Sequence, residues 1–275
     1  MCGIVGRVNA DPGRAVDSEA IELALELTAH RGPDGDGSWS GGQAALGHRR
    51  LAIVDLQGGA QPMTNEDRNV WIVFNGEIYN HGSLRAQLEA KGHRFVTRSD
   101  TEAIVHGYEE WGDEVVSRLR GMFAFAIWDV RRHRLLLARD RLGIKPIYWA
   151  MAGSDLCFAS EIKALFAFEE IPRELDESLL PTYLALRYVP GPRTMFRGIE
   201  RLAPGHLLVF EDGRTRQRQF WEIPVEASLL EQRPRDPVEE SEALTQGLLK
   251  SVRLRLMAEV PVGVFLSGGI DSTAV

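Results

Sequence analysis

The chain has 275 residues, of which 44% are hydrophobic and 26% charged, with a formal net charge of -7. This length and balance suit a soluble globular protein of one large domain, or of a domain of about 200 residues plus part of another, and an acidic chain without a dense Lys/Arg stretch argues against nucleic acid as a main partner. No apolar run approaches the roughly eighteen residues of a spanning helix, so no membrane partner is expected, and two cysteines, Cys2 and Cys157, form no disulfide framework, which points to a reducing cytoplasm.

The opening residues, MCGIVGRVNADPGR, break a short apolar run with Gly and Arg, so they do not read as a secretory signal. Residues 3–9 are predicted as a short strand ending at Asp11-Pro12-Gly13, and a helix follows through Ile21, Leu23, Leu25 and Leu27. Short β-rich runs come next: QAALGHRRLAIVD, NVWIVFNGEIYN, GMFAFAIWDV, RLLLARD, IYWAM and LCFAS. Helices are expected from Ser83 to about Lys91 and from Thr101 to Trp111, where Ile104, Tyr108 and Trp111 repeat at helical spacing. Residues 161–188 add short helices, and 193–222 add strands around an Asp212-Gly213 turn. The charged segment 223–237 reads as a linker, and a helix with Leu244, Leu248, Val252 and Leu256 on one face follows it. The final run, VPVGVFLSGGIDSTAV, reads as an apolar strand entering a Gly-Gly turn and a helix start. A strand and a turn cannot bury their own faces, so 238–275 is expected to be the truncated start of a second domain. Strands cluster between helices and do not alternate strictly with them, which favours an α+β fold of antiparallel sheets covered by helices over a parallel doubly wound sheet.

Cys2 carries the first chemical signal. Removal of Met1 would place a free α-amine beside the thiol, and an amine titrating at about pH 8 can take the thiol proton. Four segments supply a pocket: HRGPDG at 30–35, GHRRLAIVD at 47–55, Asn75-Gly76-Glu77, and RSDTE at 98–102. A guanidinium suits an amino-acid carboxylate, carboxylates suit its ammonium, and an Asn amide plus a Gly N–H suit a tetrahedral oxyanion. Each piece also has a plainer reading. Asn75-Gly76 is a strong hairpin signal, Ser99 or Asp100 would cap the following helix, and Arg49 and Arg50 would sit on an edge strand.

Taken together and in this order, Cys2-Gly3-Ile4, HRGPDG, HRRLAIVD, FNGEIYN, SDTE, GMFAFAIWD and RDRLGIKPIYW resemble the glutamine-hydrolysing asparagine synthetases. More broadly they resemble the class II amidotransferases, across residues 2–222. The resemblance implies an N-terminal-nucleophile hydrolase fold, an αββα sandwich of two antiparallel sheets between helices. It implies Cys2 as nucleophile with its own amine as base, and Arg50 on the glutamine α-carboxylate with Ile53 backbone nearby. Asn75 and Gly76 would form the oxyanion hole, and Glu77 and Asp100 would bind the α-ammonium. In the tail, Ser267-Gly268-Gly269-Ile270-Asp271-Ser272 resembles the family's pyrophosphate loop. There Leu266, Ser267, Gly268, Gly269, Asp271 and Ser272 would meet ATP, and Asp271 would contact Mg²⁺. Glutamine hydrolysis itself would need no cofactor, whereas asparagine formation from aspartate would need ATP, Mg²⁺ and the rest of the second domain. The chain alone is therefore expected to release ammonia and make no asparagine, and the resemblance implies a homodimer. Two other readings stay open from the residues: a related enzyme with a different ammonia acceptor, and a catalytically silent binding or regulatory module.

Overall fold

The computed structural model describes residues 1–225 and 236–275. Met1–Trp221 and Glu222–Val275 are separate compact units. In chain order the first contains β1 (Gly3–Val8), α1 (Ser18–Leu27), β2 (Gly35–Gly41), β3 (Ala44–Arg50), β4 (Met63–Thr64), β5 (Val70–Ile78), α2 (His81–Glu89), α3 (Asp100–Trp111), α4 (Val115–Arg118), β6 (Gly121–Asp129), β7 (Arg134–Arg139), β8 (Tyr148–Ala152), β9 (Asp155–Ala159), α5 (Ile162–Leu165), α6 (Leu180–Leu186), β10 (Ile199–Arg201), β11 (His206–Glu211) and β12 (Arg214–Gln219).

The strands form two six-stranded sheets, ordered β10-β8-β9-β1-β3-β2 and β12-β11-β7-β6-β5-β4. Every paired strand runs antiparallel to its neighbour. Alternation along each strand sorts the apolar side chains into layers. Ile4, Val8 and Leu46 of the first sheet meet Val73, Ala124, Trp128 and Leu208 of the second in one core. On the outer face of the first sheet, Val5, Ala45 and Ala159 pack against Ile21 and Leu25 of α1 and Leu165 of α5. On the outer face of the second, Ile72, Phe74 and Phe125 pack against Leu84 of α2, Ile104 and Tyr108 of α3, and Val115 of α4. Burial on both faces explains why GMFAFAIWD and RLLLAR are continuous apolar runs with no polar alternation. The result is a helix–sheet–sheet–helix sandwich, the α+β arrangement expected.

Several expectations need correction. Asn75-Gly76 is no hairpin turn: both lie inside β5, which pairs with β6 in unbroken register from Val70↔Asp129 to Ile78↔Gly121. Gly76 is required there by close approach, since a Cβ would lie 2.2 Å from the Met122 carbonyl oxygen and 2.8 Å from Phe123 Cα. Gly76→Ala is accordingly expected to destabilise the fold by about 1–3 kcal/mol, read as a lower urea midpoint. The run at 47–55 leaves the sheet at Arg50, so Leu51–Asp55 is loop. The Gly-rich edge strand β2 was not anticipated, because Trp39 is its single large apolar residue. Arg49 is not idle at an edge: its Nε donates to the Leu25 carbonyl at 2.9 Å and its Nη1 meets Asp36 at 3.2 Å.

In the second unit, α7 (Pro237–Arg255) begins after Asp236, whose carboxylate caps it by accepting from Val238 N–H at 2.8 Å. The short α8 (Ile270–Ala274) ends the unit. The expected strand through VPVGVFL does not form. No partner strand faces it among the described residues, and an unpaired ladder gains nothing from extension; Phe265 is accordingly 99% exposed. Most of the expected linker, residues 226–235, lies outside the described residues. Among the described residues no helix is long and apolar enough to cross a membrane.

Candidate active site

Strand parity decides which side chains meet at one end of the sandwich. Ile4 and Val8 face the second sheet, so Cys2, two residues before Ile4, enters on that side. Register pairs Gly3 with Arg49 and Ile4 with His48, which puts Arg50 on the same face as His48 and Leu46, opposite Cys2. From the second sheet, Asn75 and Glu77 share parity with the core residue Val73. Asp100 arrives at the first position of α3. A pocket of about 120 Å³ is lined by Cys2, Arg50, Ile53, Asn75, Gly76, Glu77 and Asp100, so the fold brings all the expected glutamine-pocket residues together.

Cys2 is held by its backbone. Arg31 Nε donates to the Cys2 carbonyl at 2.9 Å, while Arg31 Nη1 pairs with Glu161 at 2.9 Å. The HRGPDG loop thus holds the Cys2 backbone. Its Asp34 also accepts from Ala52 N–H at 2.9 Å, tying down the loop after β3. The Cys2 Sγ lies 3.4 Å from Leu51 N and 3.6 Å from Leu51 O. Burial pushes the thiol pKa up, opposed by the Leu51 N–H. With Met1 in place the Cys2 nitrogen is a peptide amide and cannot act as a base, so the thiol stays protonated at neutral pH.

Two donors face the pocket beside the thiol. The Asn75 side chain is 1% exposed, and its Nδ2 has no hydrogen-bond partner among the described residues. A buried amide donor left without an acceptor costs about 1–3 kcal/mol. The second donor follows from the ladder. Phe74 N–H donates to Gln61 Oε1 at 2.6 Å and Ile78 N–H to Asp100 Oδ2 at 2.8 Å, both from the β5 edge away from β6. Gly76 lies between them in the same parity, so its N–H leaves from that edge too.

The pocket also separates charge. Arg50 is wrapped by the loop it enters: Nη1 donates to Leu56 O at 3.0 Å and Nη2 to Asp55 O at 2.6 Å. It makes no ion pair with a carboxylate among the described residues. Asp100 is buried, and burial raises its carboxyl to about 7, with nearby Glu77 adding to the rise and the Ile78 N–H opposing it. Glu77 is itself raised by burial and lowered by Lys145. Ser99, and not Asp100, caps α3, accepting from Thr101 N–H at 3.3 Å.

Lys145 is the pocket residue that sequence reasoning missed. It is 7% exposed and lines the cavity with Cys2 and Glu77. Burial lowers its ammonium pKa, while Glu77 and Cys2 oppose that shift. The Asp140 carboxylate sets the turn that delivers it, accepting N–H groups from Ile144 at 3.0 Å and Lys145 at 3.0 Å. The only signal available was RDRLGIKP itself, an Asp followed by a Gly turn before a strand. The pocket therefore carries two cationic side chains and two carboxyls, a pattern suited to a zwitterion.

The second unit gathers the remaining expected residues in one turn. Ser267 and Ser272 hydroxyls lie 2.9 Å apart, and Ser272 Oγ also donates to Gly269 O at 3.1 Å. Gly268 adopts a φ of +75°, and Gly269 precedes α8, which holds Asp271. Leu266 is 72% exposed beside them.

Two antiparallel sheets between helices, with a cysteine leading the first central strand into the mouth, define the class II amidotransferase form of the N-terminal-nucleophile hydrolase fold. The glutamine phosphoribosylpyrophosphate amidotransferase of B. subtilis, complexed with ADP and GMP, shares this fold with a TM-score of 0.59 at 22% identity, covering 80% of this chain and 49% of that one. A family model described as a glutamine amidotransferase domain matches residues 1–221, and one described as asparagine synthase matches residues 243–275. The chain belongs to the glutamine amidotransferase family. Asparagine synthetase [glutamine-hydrolyzing] 3 of Bacillus subtilis is 37% identical over 279 residues, 100% of this chain and 44% of that protein. A putative asparagine synthetase of Mycobacterium tuberculosis is 40% identical over 300 residues, 100% of this chain and 45% of that protein. Amidase chyE of Penicillium rubens is 37% identical over 288 residues, 100% of this chain and 42% of that protein. The chain thus spans less than half the length of these curated relatives.

Proposed function

We propose that this chain releases ammonia from glutamine through Cys2 once Met1 is removed. The unpartnered Asn75 Nδ2 beside the thiol carries this reading. The freed α-amine takes the thiol proton, and the thiolate attacks the side-chain amide carbon. Asn75 Nδ2 and Gly76 N–H hold the oxyanion that forms. The protonated amine returns its proton to the departing ammonia, and water then hydrolyses the thioester to glutamate. Arg50 binds the α-carboxylate, with Ile53 backbone alongside. Glu77 and Asp100 take the α-ammonium.

This assignment has a pH signature. Glutamine's ammonium pairs with ionised Asp100, whose carboxyl in the free protein is raised to about 7. The KM for glutamine is therefore expected to fall as pH rises through about 7, and to rise roughly tenfold per unit of acidification below it. Asp100→Asn removes that limb; a KM profile unchanged by the substitution would remove Asp100 from substrate binding.

For the complete protein we propose asparagine formation from aspartate in the cytoplasm, by a homodimer. The hydroxyls of Ser267 and Ser272 and the N–H groups entering α8 suit phosphate oxygens. Leu266, Gly268, Gly269 and Asp271 complete that loop, with Asp271 toward Mg²⁺. Bound ATP would supply the activation of the acceptor carboxylate. The similarity to amidase chyE supports a second reading, in which the same ammonia-releasing half serves a different acceptor. The test of the ammonia-releasing step is direct: verify Met1 loss by intact mass, then follow glutamate release from glutamine. No glutamate from the processed chain would overturn the proposal.

A further inference from the structure

We infer that His93, His106 and Glu109 form a binding site for a divalent transition-metal ion, with zinc the best match to the donors. The cluster lies further along α3 from the pocket and plays no part in the glutaminase chemistry. Glu102, His106 and Glu109 fall at i, i+4 and i+7 and so share one helix face, and His93 reaches them from the segment after α2. One potential ligand atom from each of His93, His106 and Glu109 lies within 4.8 Å of the others.

The distances centre on one carboxylate oxygen. Glu109 Oε2 is 2.9 Å from His106 Nδ1 and 3.8 Å from His93 Nδ1. Its other oxygen is already occupied, accepting from Asn65 Nδ2 at 2.7 Å, which fixes the carboxylate's orientation. Glu66 Oε2, 3.7 Å from His106 Nδ1, is placed to serve as a fourth ligand. Zinc holds nitrogen and oxygen donors at about 2.0–2.2 Å, so small side-chain movements suffice to close the set.

Behind the ligands stands the support such sites use. The His106 ring is buried, and its far nitrogen, Nε2, has no hydrogen-bond partner among the described residues but faces Glu102 Oε1 at 3.6 Å. A carboxylate behind the distal nitrogen fixes ring orientation and raises ligand basicity. Glu102 is itself anchored by Val96 N–H at 2.8 Å and Thr97 N–H at 2.8 Å. Two imidazoles with carboxylates suit zinc, whereas magnesium and calcium prefer oxygen alone. The plainer alternative is a hub of ion pairs around a protonated His106.

The two are separated by zinc titration of the intact, EDTA-treated chain in a calorimeter, with thermal unfolding alongside. A saturable site of about one ion per chain and a raised Tm are expected. His93→Ala, on the less buried of the two histidines, and Glu109→Gln, which keeps the Asn65 contact, should each weaken binding by about 100-fold or more. Glu102→Gln should weaken it by about 10–100-fold. Cys2→Ala should leave it unchanged. No saturable uptake would leave only the ion-pair hub and overturn the inference. So would uptake that survives His93→Ala and disappears in Cys2→Ala, because the ion would then sit at the pocket thiol.

Discussion

Cys2→Ala is expected to cut glutamate release by a factor on the order of 10³ or more while leaving the unfolding midpoint almost unchanged. The two halves of this result have separate causes. The thiol is the sole group in the pocket able to form a thioester, so its loss removes the route and not merely a contact. Its structural contribution is small: Sγ sits 3.4 Å from Leu51 N and 3.6 Å from Leu51 O, and sulfur is a weak donor and a weak acceptor. The backbone that positions it, through Arg31 at 2.9 Å, survives the substitution. Cys2→Ser keeps the geometry but offers a hydroxyl far harder to ionise, so it too should be strongly impaired. A chain that keeps Met1 should be silent with every pocket residue intact. Equal hydrolysis by the alanine variant would show that Cys2 is not the nucleophile.

Much of this architecture was readable from the sequence because burial on two faces leaves a plain record. β1, β5, β6, β7 and β9 all lie in runs too apolar to be anything but interior. The pocket residues were legible because motif order carried them, although their individual spacing did not. What the sequence concealed depends on register and on partners. Asn75-Gly76 carries the composition of a hairpin turn, yet β6 pairs straight through it, and the neighbouring Met122 carbonyl leaves no room for a side chain at residue 76. VPVGVFL has the composition of a strand, but composition cannot supply the neighbour that a strand needs. Lys145 was invisible for a third reason. Its importance lies in meeting Cys2 and Glu77, residues 143 and 68 positions earlier by sequence number, and only the Asp140 turn produces that meeting.

Asn75 offers the sharpest separation of activity from stability. Asn75→Ala is expected to lower kcat by about 10²–10³ with little change in KM, since the amide meets the oxyanion and not the ground-state carbonyl. An ordinary buried Asn would also cost stability when removed, because its partners would be left bare. Here the Nδ2 donor has none to abandon among the described residues. Asn75→Leu, close in volume, removes a buried unsatisfied amide and is expected to raise unfolding free energy by about 1 kcal/mol. That rise should appear as a higher urea midpoint in a protein that no longer hydrolyses glutamine. Loss of 2 kcal/mol or more in the leucine variant would mean that Asn75 is a structural residue with a partner of its own. In that case the oxyanion would have to rest on Gly76 and a donor from elsewhere, with the buried Lys145 ammonium the next group to test. Gain of stability with loss of turnover would identify the amide as a group held, at a cost to the fold, for a charge that exists only during the reaction.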